Sequence, residues 1–141
     1  MSEETIKFIK NVPRAQIPTK AYRNDSGFDL YAAETRLIVP GVTTQIDIGI
    51  SVAFPNQFYG IIFTRSSMGK RGVQLHNGVI DNGYRGKLSV FFYNFGTEFY
   101  VHCGDKVGQL LIFKNYPITF FEVDQLPNSE RGEKGFGSSG Y

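Results

Sequence analysis

The sequence predicts an all-β protein, a jelly-roll-like distorted β-barrel with one short helix. Three observations lead to this fold class. Aromatic residues and glycine are abundant, with 13 Phe, 8 Tyr and 16 Gly among 141 residues, and this composition favours strands and turns over helices. Apolar and polar residues alternate over long stretches, which is the period of a strand. About nine or ten short segments of this kind follow one another with turn signals between them, as in two-sheet barrels.

Length and composition limit the class of protein further. A chain of 141 residues has the size of one domain. Its 15 Lys and Arg against 13 Asp and Glu leave a net charge of +2, which is too balanced for a dedicated nucleic-acid binder. Because Cys103 is the single cysteine and the N-terminus has no apolar signal core, we expect a cytoplasmic protein. No apolar run is long enough to span a membrane, so no membrane partner is expected.

Apolar alternation places the strands. We expect strands, in chain order, at residues 5–9, 28–32, 42–54, 58–64, 88–94, 98–102, 107–113 and 118–123. The stretch 42–54 alternates most regularly and is one long strand or two strands joined at Gly49, with one face in solvent. Residues 58–64 and 88–94 are apolar on both faces, so they are buried on both sides or contact another subunit.

The stretch 78–88 has the composition of a β-hairpin, because two apolar segments flank a turn over Asp81-Asn82-Gly83. Asn-Gly supplies the positive φ that a tight hairpin turn requires. A buried carboxylate of Asp81 beside the phenol of Tyr84 would suit a polar ligand, and the flanking glycines would let backbone amides approach it. Taken alone, the stretch fits better with an ordinary turn in which Asp81 accepts hydrogen bonds from its own backbone.

Residues 65–72 follow a buried strand and combine two hydroxyls with basic side chains. Ser66 and Ser67 suit the N-cap of a short helix, whose free amides together with Arg65 would bind a small anion. A capped surface turn with its remaining basic side chains in solvent accounts for the stretch equally well.

Two polar residues lie in otherwise apolar strands. Asp29 points away from the apolar face of its strand, and on this stretch alone a solvated aspartate explains it better than a functional one does. Gln109 is the lone polar residue of the strand 107–113, so it must find a hydrogen-bond partner or cost about 1–3 kcal/mol.

The C-terminal stretch 128–141 is rich in glycine and serine and has no apolar period, so we separate it from a domain at 1–127. A frayed terminus is one explanation. Yet Phe136 lies between two glycines, and Gly-Ser-Ser with Arg131 offers amides, hydroxyls and a guanidinium suited to phosphate. An arm that becomes ordered over a bound ligand would explain both features.

Five of these segments, in this order and spacing, closely resemble the trimeric dUTP diphosphatases (dUTPases). They are residues 25–33, 65–72, 78–88, 104–113 and 131–140. The most specific feature is Gly-Val-Ile-Asp-Asn-Gly-Tyr-Arg-Gly combined with a terminal Arg-Gly-x-x-Gly-Phe-Gly-Ser-Ser-Gly. The resemblance implies a homotrimer of jelly-roll subunits, with active sites at subunit interfaces and a C-terminal arm that reaches a neighbouring subunit.

The resemblance also implies an activity, the hydrolysis of dUTP to dUMP and pyrophosphate by water attack on the α-phosphate. This reaction keeps uracil out of DNA and supplies dUMP for thymidylate synthesis. Asp81 would bind the 3′-hydroxyl and activate the water. The substrate-binding residues that the family pattern implies are Gly78 and Ser89 at the uracil, Tyr84 under the deoxyribose, Arg65, Ser66, Ser67 and Gln109 at the phosphates, and Arg131, Phe136, Gly137, Ser138 and Ser139 in the arm.

A divalent cation is expected as cofactor, because a triphosphate carries about four negative charges and Mg²⁺ bridges its oxygens. We expect no direct protein ligand for Mg²⁺, with Asp29 reaching it through water as the family pattern suggests.

Two residues depart from the family pattern, which often has Gly where this chain has Ser67 and Thr where it has Ser139. The related dCTP deaminases share Arg-Ser-Ser, but Phe91 stands where they place a catalytic Glu. A zinc deaminase does not fit, since His76 and the pair His102 and Cys103 lack ligand spacing. A nucleotide-switched regulatory protein on the same fold is a further alternative.

Overall fold

The computed structural model describes residues 3–76 and 78–135, which form eleven strands and one short helix. The elements are β1 (Lys7–Lys10), β2 (Gly27–Tyr31), β3 (Arg36–Ile38), β4 (Thr43–Asp47), β5 (Ile50–Ala53), β6 (Phe58–Phe63), α1 (Ser66–Lys70), β7 (Val73–Leu75), β8 (Gly78–Ile80), β9 (Ser89–Asn94), β10 (Phe99–Val101) and β11 (Lys106–Lys114). The prediction of an all-β protein with one short helix is confirmed. None of the described helices is long and apolar enough to cross a membrane.

The strands are arranged in four antiparallel sheets. A four-stranded sheet has the order β2-β11-β6-β8, a three-stranded sheet has the order β4-β9-β7, and β1-β5 and β10-β3 form two-stranded sheets. Over the described residues these ladders do not close into one continuous barrel. The fold is therefore jelly-roll-like, with packed sheets in place of a closed ring of hydrogen bonds.

The core is formed by the apolar faces of these sheets. Its largest fully buried side chains include Phe92, Leu30, Ile38, Ile46, Ile48, Ile50 and Leu110. Gly49 separates β4 from β5 with a φ of 78°, which is a left-handed conformation that suits glycine. A Cβ at Gly49 would also lie 2.8 Å from the Cβ atoms of Ala15 and Ala33, so the junction between the two strands has room only for glycine.

The expected hairpin at 78–88 is wrong. β8 pairs with β6, whereas β9 pairs with β4 and β7, so the segment between them connects two sheets. Neither Asn82 nor Gly83 is among the residues with positive φ in the described chain. Instead, the Asn82 side chain donates to the carbonyls of Pro55 and Phe58 at 3.0 and 2.8 Å. This asparagine therefore fastens the connection to the β5–β6 loop.

The expected strand at 118–123 is also absent. The last strand ends at Lys114, and in the described structure no strand of the same chain pairs with the residues that follow it. The segment leaves large apolar side chains in solvent. These include Ile118, Phe120, Phe121 and Leu126. A strand is stable only when a neighbour satisfies its backbone groups, and a single chain offers none here.

Candidate functional site

A cavity of about 240 Å³ is lined by the four-stranded sheet, the three-stranded sheet and the connection between β8 and β9. Three residues predicted to bind the substrate, Gly78, Tyr84 and Ser89, line this cavity. The other lining residues are Gln45, Ile62, His76, Val79, Ile80, Lys87, Leu88 and Phe91. We call it the Tyr84 cavity. Residues from strands of two sheets therefore meet at one place.

Tyr84 is held in place by its own turn. Its backbone N–H donates to the carbonyl of Asp81 at 3.1 Å, and its phenol donates to the carbonyl of Lys87 at 3.0 Å. The ring lies over Gly86, where a Cβ would stand 2.3 Å from the phenolic oxygen. Gly86 is thus required for this position of the Tyr84 ring, and Tyr84 lines the cavity.

Asp81 directly follows β8 and is exposed, so the expectation of a buried carboxylate is wrong. Among the residues that the structure describes, its side chain forms no hydrogen bond and no ion pair. The turn is closed by the backbone bond from Tyr84, and not by a self-capping aspartate. Both carboxylate oxygens of Asp81 are consequently available to solvent or to a ligand.

Asp29 is not simply solvated, because its two oxygens contact two cations. Oδ1 lies 3.4 Å from Nε of Arg65, and Oδ2 lies 3.4 Å from Nζ of Lys106. Lys106 was not among the predicted site residues. The sequence feature that could have indicated it is its position directly after Gly-Asp, at the start of an apolar strand. The Asp29 carboxylate, in the middle of β2, therefore holds two basic side chains together.

Gln109 lies directly opposite Asp29 in the pairing of β11 with β2. Its Nε2 donates to the carbonyl of Thr64 at 3.2 Å, which satisfies the expected need for a partner. A Cβ at Gly27 would lie 2.8 Å from Oε1 of Gln109, so this glycine leaves room for the amide. Gln109 and the Asp29 ion pairs consequently lie on neighbouring strands.

The expected N-cap of α1 is wrong. Arg65 occupies the N-cap and makes no side-chain capping bond, whereas Ser66 and Ser67 form the first turn and are exposed. Nη1 of Arg65 donates to Oγ of Ser67 at 3.5 Å. A cleft of about 320 Å³ lies beside this turn and is lined by Arg65, Ser67, Met68, Arg71, Val101, Asp105, Lys106 and Val107. We call it the basic cleft, since three cationic side chains face one acidic one.

The Tyr84 cavity and the basic cleft have no lining residue in common. Arg131 contacts its own segment, donating to the carbonyls of Lys134 at 2.6 Å and Gly135 at 3.3 Å. The predicted residues Phe136, Gly137, Ser138 and Ser139 lie outside the described residues. Among the described residues, Gly78, Tyr84 and Ser89 thus line one cavity, Arg65 and Ser67 line the other, and Arg131 lines neither.

Glu34 lies in the loop between β2 and β3 and forms hydrogen bonds to residues of β3 and β4. Its Oε2 accepts the backbone N–H of Asp47 at 2.8 Å, and its Oε1 accepts from Arg36 at 2.8 Å. Burial alone would raise the pKa of Glu34, but these hydrogen bonds and the charges of Arg36 and Arg14 hold that pKa below its ordinary value. With its neighbours Glu34 lines a second cavity of about 510 Å³, which shares Gln45, Tyr84, Lys87 and Ser89 with the first.

Gln45 is a polar residue of the site that the motifs did not include. It lies on the solvent face of β4, and its Nε2 donates to Oγ of Ser89 at 3.0 Å. The alternation of polar residues along 42–54 predicted that this face is exposed to solvent, but it did not indicate which strand lies next to it.

No group of three or more His, Cys, Asp or Glu side chains that could hold a metal ion occurs within residues 3–76 and 78–135. In this part of the chain, Asp105 lines the basic cleft, and Asp29 forms ion pairs with Arg65 and Lys106, two of the cationic residues that line it. A cation here would be held chiefly by its ligand's oxygens.

Comparison with known proteins identifies the family. A family model described as dUTPase matches residues 13–140. The deoxyuridine 5′-triphosphate nucleotidohydrolases of monkeypox virus and vaccinia virus (strain Copenhagen) are both 38% identical to this chain over 136 residues. The match covers 96% of this chain and 90% and 92% of those two proteins, respectively.

Solved structures share the fold. The dUTPase of Staphylococcus bacteriophage 80alpha with dUPNHPP has a TM-score of 0.90 at 24% identity and covers 97% of this chain and 99% of its own. A mutant dUTPase of Staphylococcus aureus phage phi11, with a structural Mg(II) ion, has a TM-score of 0.81 at 20% identity, covering 88% of this chain and 99% of its own. The family model and the viral relatives span nearly the whole sequence, and the chain therefore belongs to the dUTPase family.

Proposed function

We propose that this protein hydrolyses dUTP to dUMP and pyrophosphate by attack of water on the α-phosphate. The observation that carries the proposal is the convergence of Gly78, Tyr84 and Ser89 on one cavity, with Asp81 next in sequence to Ile80, which also lines that cavity. The family supports the same substrate, since the viral relatives are named for dUTP hydrolysis. Such an enzyme removes dUTP before it enters DNA and supplies dUMP for thymidylate synthesis.

The Tyr84 cavity is the proposed deoxyuridine pocket. β8 is the last strand of its sheet, so one of its edges has no strand partner in the described structure, and its backbone groups can bind the uracil edge. The Tyr84 ring, fixed over Gly86, packs under the deoxyribose and leaves no room for a 2′-hydroxyl. These positions support the proposed roles, which are uracil recognition by Gly78 and Ser89 and sugar selection by Tyr84.

Asp81 is the proposed general base. Its carboxylate has no partner among the described residues, so one oxygen can accept the 3′-hydroxyl and the other can orient and deprotonate the attacking water. A positioned base of this kind contributes about two to four decades of rate.

The basic cleft is the proposed phosphate site. Arg65, Ser66 and Ser67 would bind phosphoryl oxygens, and Gln109 would lie near the α-phosphate. In the arm, Arg131 with Gly137, Ser138 and Ser139 would hold the β- and γ-phosphates, and Phe136 would stack on the uracil. Cationic donors stabilise the charge that spreads over the phosphoryl oxygens during the transfer.

Mg²⁺ is the proposed cofactor, and it would neutralise charge on the triphosphate. The donor set of the chain fits a cation held mainly by the substrate, because both oxygens of Asp29 already contact the cations Arg65 and Lys106. Asp29 would then reach the ion through water, with no direct protein ligand.

A homotrimer is the proposed assembly, made of domains at 1–127 with arms at 128–141. Two features support it. Ile118, Phe120 and Phe121 leave a large apolar surface in solvent that a second subunit would cover. The two parts of the site also lie in separate cavities of one chain, so a neighbouring subunit would complete each site with its phosphate-binding segments and its arm.

The exposed free thiol of Cys103 suits the reducing cytoplasm, which is the proposed location of the protein.

The deaminase alternative is not favoured. Phe91 lines the Tyr84 cavity with an apolar ring, so the carboxylate that deamination requires is missing at that position.

A nucleotide panel tests the proposal. The purified protein is incubated with Mg²⁺ and, in turn, with dUTP, dCTP, dTTP and UTP, while pyrophosphate and ammonia are measured. We expect pyrophosphate release from dUTP alone. Comparable turnover of dCTP or UTP would refute the specificity, and ammonia release from dCTP would support a deaminase.

A further inference from the structure

We propose that Gln45 is a positioning residue that makes the hydroxyl of Ser89 a hydrogen-bond donor to the nucleobase and thereby favours uracil over cytosine. This inference rests on the proposed function, because it takes the Tyr84 cavity as the nucleobase pocket. Gln45 lies outside the five segments that resemble the family.

The two side chains meet across neighbouring strands. In the pairing of β4 with β9, Asp47 lies opposite Ser89 and Gln45 lies opposite Phe91, so Gln45 and Ser89 are diagonal neighbours on the same face. Nε2 of Gln45 donates to Oγ of Ser89 at 3.0 Å. Both residues line the Tyr84 cavity, so their hydrogen bond lies at the wall of the proposed nucleobase pocket.

The direction of this hydrogen bond determines what Ser89 can offer. A serine hydroxyl has one proton to donate and two lone pairs to accept with. Because Gln45 occupies a lone pair through an N–H, the hydroxyl proton must point elsewhere. Among the described residues no acceptor for that proton is found, so it is available to a ligand in the cavity. Accepting one bond also strengthens the hydroxyl as a donor.

Uracil and cytosine differ in what they present to such a donor. At position 4, uracil carries a carbonyl oxygen, which accepts a hydrogen bond, whereas cytosine carries an amino group, which donates. A hydroxyl that points its proton into the pocket therefore donates to the carbonyl of uracil. With cytosine, the hydroxyl proton would meet the amino group, which is also a donor, and no hydrogen bond would form. Sites that leave a polar group unpaired in this way discriminate strongly.

The substitution Gln45→Glu tests the direction of the hydrogen bond between residue 45 and Ser89, because glutamate has nearly the same shape as glutamine but cannot donate. A carboxylate at this position accepts from Ser89, so the hydroxyl proton turns away from the pocket and a lone pair faces the base. We expect kcat/KM for dUTP relative to dCTP to fall about tenfold or more, mainly through a higher KM for dUTP and with kcat nearly unchanged. Gln45→Leu, which removes the donor without adding an acceptor, should give a smaller fall.

Gln74→Glu is the matched control. Gln74 is an exposed glutamine on β7 of the same sheet, and it does not line the Tyr84 cavity. The same change in charge at this position should leave the dUTP-to-dCTP ratio unaltered. In a Ser89→Ala background, Gln45→Glu should have no further effect on the ratio, because the hydroxyl through which it acts is absent.

Binding of dUMP and dCMP, measured by calorimetry, gives a second readout that does not require turnover. An unchanged preference in Gln45→Glu, or an equal loss in Gln74→Glu, would overturn the role of Gln45. Failure of the proposed function looks different, since the wild-type protein would then not hydrolyse dUTP, whatever residue stands at 45.

Discussion

The phenolic ring of Tyr84 occupies the space above Gly86, where a Cβ atom would lie 2.3 Å from its oxygen. A Cβ at this distance would force the ring to move. The movement would disturb the hydrogen bond from the Tyr84 phenol to the carbonyl of Lys87. The lack of a side chain at Gly86 thus determines where the aromatic face of Tyr84 lies.

Gly86→Ala should displace Tyr84 and weaken sugar selection. We expect kcat/KM for dUTP to fall about tenfold to a hundredfold and the preference for dUTP over UTP to shrink, since a misplaced positioning group is costly. Gly83→Ala is the control in the same connection, because a Cβ there meets nothing within 4 Å and its φ is not positive. Steady-state kinetics with both nucleotides measure the effect, and equal behaviour of the two variants would contradict it.

Asp81→Asn should leave dUTP binding largely intact and reduce turnover by about a hundredfold or more. The substitution removes the base with little change of shape. Single-turnover kinetics and calorimetry with a non-hydrolysable analogue separate the two effects. Asp124→Asn, a change at another exposed aspartate, serves as the control. Near-normal turnover of Asp81→Asn would remove Asp81 from its proposed role.

Glu34→Gln should destabilise the fold in a pH-dependent manner. The pKa of Glu34 is lower in the folded state, so its contribution is fully present above the ordinary pKa of glutamate and is lost as pH falls through the folded value. We expect Glu34→Gln to lower the free energy of unfolding by about 1 kcal/mol at neutral pH. Urea denaturation across the acidic range should show the gap to wild type closing. A gap independent of pH would refute the electrostatic cause.

Truncation after Asn128 should leave the proposed trimer folded but nearly inactive, because the arm would order over the ligand and would contribute little to a core. Removing the chain from residue 116 onward is the contrasting variant, since it also deletes the exposed apolar side chains Ile118, Phe120 and Phe121. We expect this longer deletion to lose the trimer. Light scattering measures the assembly, and loss of the trimer in the shorter deletion would contradict the division at 127.

Local pattern accounts for much of what could be predicted. Alternation located most of the strands that lie within the core, and Gly49 marked the junction of β4 and β5. It missed β3 and β7, which also lie in the core but have only three residues each, too few for a period to show. The strand expected at 118–123 failed for a physical reason: apolar residues with strand propensity form a strand only where a partner edge exists. Propensity along the chain carries no information on that partner.

The sequence by itself determined the all-β class, the family and the segments that carry chemistry, because these depend on residue types and their spacing. The tertiary structure alone decided which residues meet. It assigned β8 and β9 to different sheets, which turned an expected hairpin into a connection, and it paired Asp29 with Arg65 and Lys106. It also brought Gln45 to Ser89, since contacts between strands depend on sheet order and register, which local periodicity does not encode.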